Sequence, residues 1–243
     1  MPLSTRKREV LHQIGIPVWV PRQSALAQQP PIEDAMDVPA ALRQEPAAGV
    51  AVAQSPVANL DWAGLGARVA SCTACAELAQ RRTQTVFGVG DPKASWLFIG
   101  EAPGSEEDRR GEPFVGRAGR LLDNMLAALG LRRGEDVYIA NVLKCRPPGN
   151  RDPLPAEAAA CRAFLDRQID LIEPRVIVAL GRVAAQSLLR SDAPLGRLRG
   201  REHGFRGVPL VVTYHPAYLL RSPADKARAW SDLLFARARA LSG

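Results

Sequence analysis

The sequence predicts a three-layer α/β/α domain around a central four-stranded, mainly parallel sheet. Between four short apolar runs lie stretches with helical periodicity, such as residues 118–130 and 155–172. Strands that are apolar on both faces and alternate with helices form parallel sheets covered on both sides. The four runs, nearly continuous in Val, Ile and Leu, occupy residues 95–100, 137–144, 176–181 and 210–214.

The region ahead of this domain has a different composition. Residues 23–58 are rich in Ala, Pro and Gln and contain no aromatic residue, so they bury too little apolar surface to offset the cost of ordering. Residues 8–22 form a short apolar segment typical of a docking peptide, and a helix packed on the domain is the alternative. The sequence therefore predicts a docking peptide within 1–22, a disordered linker over 23–58 and a folded domain over 59–243.

The net charge of +7 lies entirely in the domain, because residues 1–58 carry as many acidic as basic residues. A basic domain suits a polyanion such as DNA or RNA, although a basic surface without a partner is equally compatible with charge alone. The chain has no apolar run of membrane-spanning length and no secretory signal. We expect a monomeric, cytoplasmic protein without a membrane partner.

The four cysteines of the chain are Cys72, Cys75, Cys145 and Cys161. In a reducing compartment, four thiols at such spacing favour a metal site over two disulfides. Four thiolates satisfy either zinc or an iron–sulfur cluster. Zinc sites more often use two close Cys-x-x-Cys pairs, so the wide separation of Cys145 from Cys161 favours a cluster.

Polar loops follow three of the four predicted strands, and ligands bind at the carboxyl ends of parallel strands. Glu101, at the tip of the first strand, can hold and polarise a water molecule, whereas Glu106 is assigned to a helix N-terminus. Asn141 carries a donor and an acceptor that match a base edge. His215 can donate to a developing negative charge. The sequence places the active site at this edge of the sheet.

Two further features point to nucleic acid. Phe114 lies between Pro and Gly turns, where it can stack on a base, with core packing as the alternative. The glycines around it match neither a Walker loop nor a dinucleotide fingerprint, which disfavours a nucleoside triphosphate enzyme. An exposed Leu219–Leu220 pair beside Arg221 can enter a base stack while Arg221 holds a phosphate.

Together these segments resemble family 4 uracil-DNA glycosylases, the iron–sulfur type of bacteria and archaea, over roughly residues 60–241. The resemblance rests on the four cysteines and on the motifs at 100–108, 111–122, 141–153 and 215–221. It implies the uracil-DNA glycosylase fold and a monofunctional enzyme that flips uracil out of DNA and hydrolyses its N-glycosidic bond, starting base excision repair. It also implies a structural 4Fe-4S cluster on the four cysteines.

The resemblance assigns a role to each residue of the base site. Phe114 stacks on uracil, and Asn141 reads its N3 and O4 edge. His215 donates to O2 as the base leaves. Glu101 positions water or stabilises the cationic sugar. Glu107 rejects the thymine methyl group or shapes the pocket.

The resemblance also assigns main-chain contacts with the base and side-chain contacts with DNA. The main chain at Ala102 and Pro103 contacts the base. Leu219 fills the stack that the flipped base has left, and Arg117 and Arg221 bind DNA.

Residues 8–22 look like the N-terminal peptide of the psi subunit of bacterial DNA polymerase III, which docks on the clamp loader. By this resemblance Leu11, Ile14, Ile16 and Trp19 recruit the protein to the replication machinery.

Two other functions compete with the glycosylase. The first is a non-catalytic iron–sulfur DNA-binding module, which gives no role to Glu101, Asn141 and His215 at three strand ends. The second is a zinc-stabilised hydrolase of free nucleotides, which gives no role to Leu219 or to the basic charge.

Overall fold

A computed structural model describes residues 57–242, and their centre is a six-stranded sheet in the order β1-β3-β2-β4-β6-β5. The inner strands β2, β3, β4 and β6 are parallel, and β1 and β5 pair antiparallel at the two edges. The strands are β1 Val89–Gly90, β2 Trp96–Gly100, β3 Val137–Asn141, β4 Val176–Leu180, β5 Glu202–Phe205 and β6 Val208–Thr213.

The four inner strands are those expected from the apolar runs, but the expected strand count of four is wrong. The additional strands carry no such signal, since β1 has two residues and β5 is mostly polar and exposed. The run at 137–144 also leaves the sheet at Asn141, because Leu143 turns away to pack in a cluster with the cysteines.

Helices cover both faces of this sheet. They are α1 Trp62–Ala70, α2 Ala76–Arg81, α3 Ser105–Arg110, α4 Arg117–Ala128, α5 Pro155–Ile172, α6 Arg182–Leu189, α7 Leu195–Leu198, α8 Pro216–Arg221 and α9 Lys226–Ser242. None of the helices between Val57 and Ser242 has the length and apolarity to cross a bilayer.

Successive side chains of the inner strands point to opposite faces of the sheet, which produces two separate cores. Leu97 and Ile99 of β2 pack with α5 and α6 on one face, whereas Trp96 and Phe98 pack with α4 and α9 on the other. Each of the four inner strands is buried on both faces, as its continuous apolar run predicts. The three-layer α/β/α architecture is therefore confirmed.

A third core joins α1 and α2 to the main body. Leu65 and Val69 of α1 pack with Leu143 and Phe164, and the break between α1 and α2 contains the first cysteine pair. Val57, which the sequence assigned to the linker, is buried in this cluster. Linker residues 23–56 and the docking peptide lie outside the described residues, so those assignments stay predictions.

Candidate active site

The carboxyl ends of β2, β3 and β6 open into a cavity of about 190 Å³. Cavities for drug-sized ligands measure about 300–1,000 Å³, so this one suits a single small ring. All seven residues that the sequence assigned to base binding line it: Glu101, Ala102, Pro103, Glu107, Phe114, Asn141 and His215. The other lining residues are Gly104, Ala118, Pro147, Asn150 and Arg151.

Phe114 forms one wall of the cavity and also belongs to the core beneath α4 and α9. Its ring centroid lies 5.4 Å from that of His215, with an angle of 30° between the planes. Its φ of +55° is a left-handed conformation that is uncommon for an aromatic residue. Arg133 stabilises it by donating to the carbonyls of Pro113 and Phe114 at 2.9 and 3.0 Å.

Glu107 holds the turn that carries this ring. Its Oε1 accepts from the backbone N–H groups of Val115 and Gly116 at 3.0 and 3.3 Å. Since these are main-chain contacts next to Phe114, the carboxylate shapes the wall of the cavity. Of the two roles that the resemblance offered for Glu107, this geometry favours shaping the pocket.

Asn141 ends β3 with its side chain buried at the cavity. Its Oδ1 has no hydrogen-bond partner among the described residues. A buried acceptor without a partner is costly and uncommon. A ligand that presents an N–H group in the cavity satisfies this atom.

Gly100, which the sequence analysis missed, lies directly against the side chains of Asn141 and Phe114 that line the cavity. A Cβ at this position collides with Oδ1 of Asn141 and lies 2.7 Å from Cζ of Phe114. We expect Gly100→Ala to lower base release about 100-fold, because both groups must move and small misplacements at a site are expensive. Gly66→Ala, where a Cβ meets nothing within 4 Å, is the control in the same kinetic assay. Unchanged release by Gly100→Ala shows that the positions of the Asn141 and Phe114 side chains do not govern the reaction.

His215 is the N-cap residue of α8, and its Nδ1 accepts from the backbone N–H of Ala217 at 3.1 Å. Burial, with a smaller contribution from the charge of Arg221, lowers the pKa of His215 to about 4 against the opposing charge of Glu107. The imidazole is therefore neutral near pH 7. Because Nδ1 is an acceptor, the proton lies on Nε2, which is the ring atom left to donate.

The approach of His215 to β4 depends on Gly181. This residue has a φ of +93°, and a Cβ on it lies 2.8 Å from Cβ of His215. Gly181 also donates from its N–H to the carbonyl of Thr213 at 2.8 Å. Only glycine meets both requirements without strain.

Glu101 follows β2 directly, and burial raises the pKa of its carboxyl group. The charge of Asp152 raises this pKa further, whereas Arg182 lowers it. Asp152 and Arg182 pair with each other at 2.8 Å. A carboxylate held at a strand tip inside a cavity fits a residue that orients water.

The assignment of Leu219 to the DNA-inserting position is wrong. Leu219 is 1% exposed and lines a small cavity together with Leu121 and Met125 of α4, whereas Leu220 is 37% exposed. The loop sequence HPAYLLR forms helix α8 from Pro216, and its periodicity turns the two leucines in different directions. Arg221 and Arg117 are both exposed, at the end of α8 and at the start of α4.

The four cysteines meet in the third core, with Cys145 and Cys161 buried and Cys72 and Cys75 half-buried. Burial raises the pKa of Cys75, Cys145 and Cys161, and the charge of neighbouring cysteines raises each of them further. Within residues 57–242, no group of three or more His, Cys, Asp or Glu is gathered tightly enough to hold a metal ion as the side chains stand. Each of the four thiols nevertheless lies within electrostatic reach of at least two of the others.

Sequence reasoning missed two cations beside these thiols. Arg82 donates from Nη1 to Sγ of Cys145 at 2.9 Å and from Nη2 to the carbonyl of Cys72 at 2.6 Å. Lys144 is fully buried, and burial lowers its pKa to about 8. The available signal was a lysine at the end of the apolar run at 137–144, which the strand pattern left unexplained.

This chain is similar in sequence to a known family and to several known proteins. The model of the uracil DNA glycosylase superfamily matches residues 87–234. The type-4 uracil-DNA glycosylases of Archaeoglobus fulgidus and Thermotoga maritima are each 48% identical, over 68% and 66% of this chain and 85% and 84% of their own. That of Pyrobaculum aerophilum is 42% identical over 72% of this chain and 92% of its own. The chain therefore belongs to the uracil DNA glycosylase superfamily.

Proposed function

We propose that this protein is a uracil-DNA glycosylase of the type-4 class, which hydrolyses the bond between uracil and deoxyribose in DNA. The observation that carries the proposal is the buried, unpartnered Oδ1 of Asn141 in a cavity walled by Phe114 and His215. The type-4 relatives, matched over most of their lengths, support the same reaction.

Base recognition follows from the cavity. The small volume admits a base only after the nucleotide has left the helical stack. Phe114 offers its ring face to the pyrimidine. Oδ1 of Asn141 accepts from N3–H of uracil, and its amide N–H donates to O4. Cytosine presents the opposite pattern on this edge, an acceptor at N3 and a donor at N4, so the same amide orientation rejects it.

Bond cleavage uses His215 and Glu101. The electron pair of the N-glycosidic bond moves onto the departing uracil, whose O2 receives a hydrogen bond from Nε2–H of His215. Glu101 orients a water molecule toward the sugar carbon and balances its positive charge. The water oxygen bonds to that carbon, and its proton passes to solvent or to the base. Deoxyribose with a free hydroxyl and free uracil result.

The acid limb of the pH profile tests the role of Glu101. Activity falls as pH decreases through the raised pKa of this group, because the protonated form no longer attracts the water proton or the sugar cation. Asp152→Asn removes the charge that raises this pKa and leaves Arg182 unpaired, so the acid limb of kcat/KM moves to lower pH. Arg182→Gln leaves Asp152 unpaired and moves the limb to higher pH. Each shift is a fraction of a pH unit, because the pair is exposed.

Profiles of kcat/KM between pH 4 and pH 8 for the parent and both variants measure these shifts. Shifts of the same sign in the two variants, or none in either, contradict the assignment of the acid limb to Glu101.

DNA contact is proposed for exposed residues of α8, which His215 caps, and at the start of α4, next to Ala118 of the cavity. Arg117 and Arg221 are the phosphate contacts. Leu220 replaces Leu219 as the side chain that enters the stack, because it is the exposed leucine of α8. The basic charge of the domain favours the encounter with DNA.

We also propose that Cys72, Cys75, Cys145 and Cys161 hold a 4Fe-4S cluster. The donor set fits, since four thiols from α5, from the turn after β3 and from the α1–α2 break share one apolar core. N–H donors to sulfur, such as Nη1 of Arg82 on Cys145, are the contacts that stabilise bound thiolates. When bound, the cluster cross-links these three segments and takes no part in base release.

Three further predictions from the sequence remain proposals. They are a cytoplasmic location, a monomeric state and the docking of residues 8–22 on the clamp loader.

The substrate is tested with a duplex oligonucleotide that contains one uracil, beside matched duplexes with thymine or cytosine at the same position. Free uracil and an alkali-sensitive site are expected from the first duplex alone. A protein that binds all three duplexes and releases nothing is the non-catalytic module instead. Release of cytosine contradicts the reading by Asn141. Release of thymine, whose N3 and O4 edge matches that of uracil, contradicts instead the exclusion of the 5-methyl group by the small cavity.

A further inference from the structure

A buried lysine links the base site to the cysteine core. Lys144 lies three residues after Asn141 and directly before Cys145, and it is 1% exposed. Its backbone N–H donates toward Sγ of Cys161 at 3.4 Å. Burying an ammonium group is expensive unless its protons are satisfied. A lysine kept in such a place therefore needs an explanation beyond packing.

The ammonium group connects two parts of the fold. Nζ of Lys144 donates to the main-chain carbonyl of Asn141 at 3.0 Å and to Oε1 of Gln168 at 2.6 Å. Gln168 lies on α5 and is fully buried, and its own Nε2 donates to the carbonyl of Phe87 at 2.9 Å. The position of the ammonium is thus fixed by α5, and the ammonium in turn fixes the carbonyl of Asn141.

This carbonyl lies where the chain leaves the sheet. Beyond Asn141, the N–H groups of Val142 and Leu143 donate to the carbonyls of Gly100 and Glu101 at 2.9 and 3.0 Å. The direction of the Asn141 side chain follows from the main chain at this turn. Without the ammonium, a buried carbonyl loses a charged donor, and the turn has to shift to regain a partner.

We propose that Lys144 is a positioning residue for base recognition, holding the main-chain carbonyl of Asn141 so that its amide stays directed into the cavity. The inference rests on the proposed function, because that function assigns the base edge to Asn141. Lys144 acts through Asn141 and does not touch the base.

A double-mutant cycle separates this role from general stabilisation. Lys144→Met keeps the length of the side chain but removes its donors. We expect it to lower kcat/KM for uracil release about 100-fold in the parent, the size of effect that a misplaced group produces. In an Asn141→Ala background the same change is expected to cost less than about threefold, because the group that it positions is already gone. Equal losses in the two backgrounds overturn the proposal.

Two other measurements accompany the cycle. Binding to an oligonucleotide with an abasic site does not engage Asn141, so Lys144→Met is expected to leave it unchanged, along with visible absorbance and iron content. Lys93→Met is the matched control, since Nζ of Lys93 donates to the carbonyl of Leu171 at 3.1 Å on the surface. Equal losses of release in Lys93→Met and Lys144→Met overturn the proposal as well.

Where Lys144→Met does not fold, Gln168→Met replaces it in the cycle. This variant removes the anchor of the ammonium and keeps the lysine. A smaller loss with the same dependence on Asn141 supports the proposal, and a loss independent of Asn141 overturns it. Absence of uracil release by the parent is a different result, because it contradicts the proposed function itself.

Discussion

Replacing His215 with alanine is expected to lower the rate of uracil release on the order of 100- to 1,000-fold, the usual cost of losing one donor to a developing negative charge. Uracil leaves as an anion, and Nε2–H of His215 is the donor that the geometry provides, since Nδ1 accepts from Ala217. The measurement is single-turnover release from a uracil duplex at saturating enzyme, so that weakened DNA binding does not contribute.

His203→Ala is the control for this prediction. Nε2 of His203 contacts the carbonyl of Leu198 at 2.8 Å, away from the cavity, so this variant should retain the parent rate. The pKa of His215 near 4 adds a second expectation. The imidazole stays neutral from pH 5 to pH 8, so its protonation does not shape the rate in that range. A rate for His215→Ala within a few-fold of the parent contradicts the donor role.

Replacing Cys161 with serine is expected to abolish visible iron–sulfur absorbance and to lower the free energy of unfolding by about 4 kcal/mol or more, a size reached when a metal site is lost. Cys161 lies on α5 inside the third core, among Leu65, Val69 and Phe164. Serine is a poor ligand for iron, and its hydroxyl is left in apolar surroundings. Urea denaturation and the absorbance spectrum measure the two effects.

Val69→Ala is the matched control, because Val69 is fully buried in the same core and carries no ligand atom. Loss of its two methyl groups costs about 2 kcal/mol and should leave the absorbance intact. A Cys161→Ser protein with unchanged absorbance shows that this cysteine does not bind the cluster.

The sequence predicts the centre of this fold well because the signal there is strong. Four strands buried on both faces need continuous apolar runs, and such runs are visible without a structure. The edge strand β5 needs none, since one of its faces meets solvent, and periodicity therefore cannot find it.

The site shows the same division. Seven cavity residues could be predicted because each follows a strand end or lies in a motif shared with a known family. The direction of Leu219 could not, because it depends on where α8 begins, and a helix that starts at Pro216 buries one leucine and exposes the next. Gly100 and Lys144 also escaped prediction, since the contact of Gly100 with Asn141 and Phe114 and the hydrogen bond from Lys144 to a main-chain carbonyl arise only in three dimensions.

The central claim is that base release takes place in the cavity between Phe114, Asn141 and His215. Its most direct test is single-turnover release of uracil by the parent and by Asn141→Ala, both with intact visible absorbance and both bound to the same duplex. The account predicts rapid release by the parent and a loss on the order of 100-fold in the variant, where no side chain forms hydrogen bonds with the base edge. Equal rates in the two proteins place the chemistry elsewhere and contradict the account.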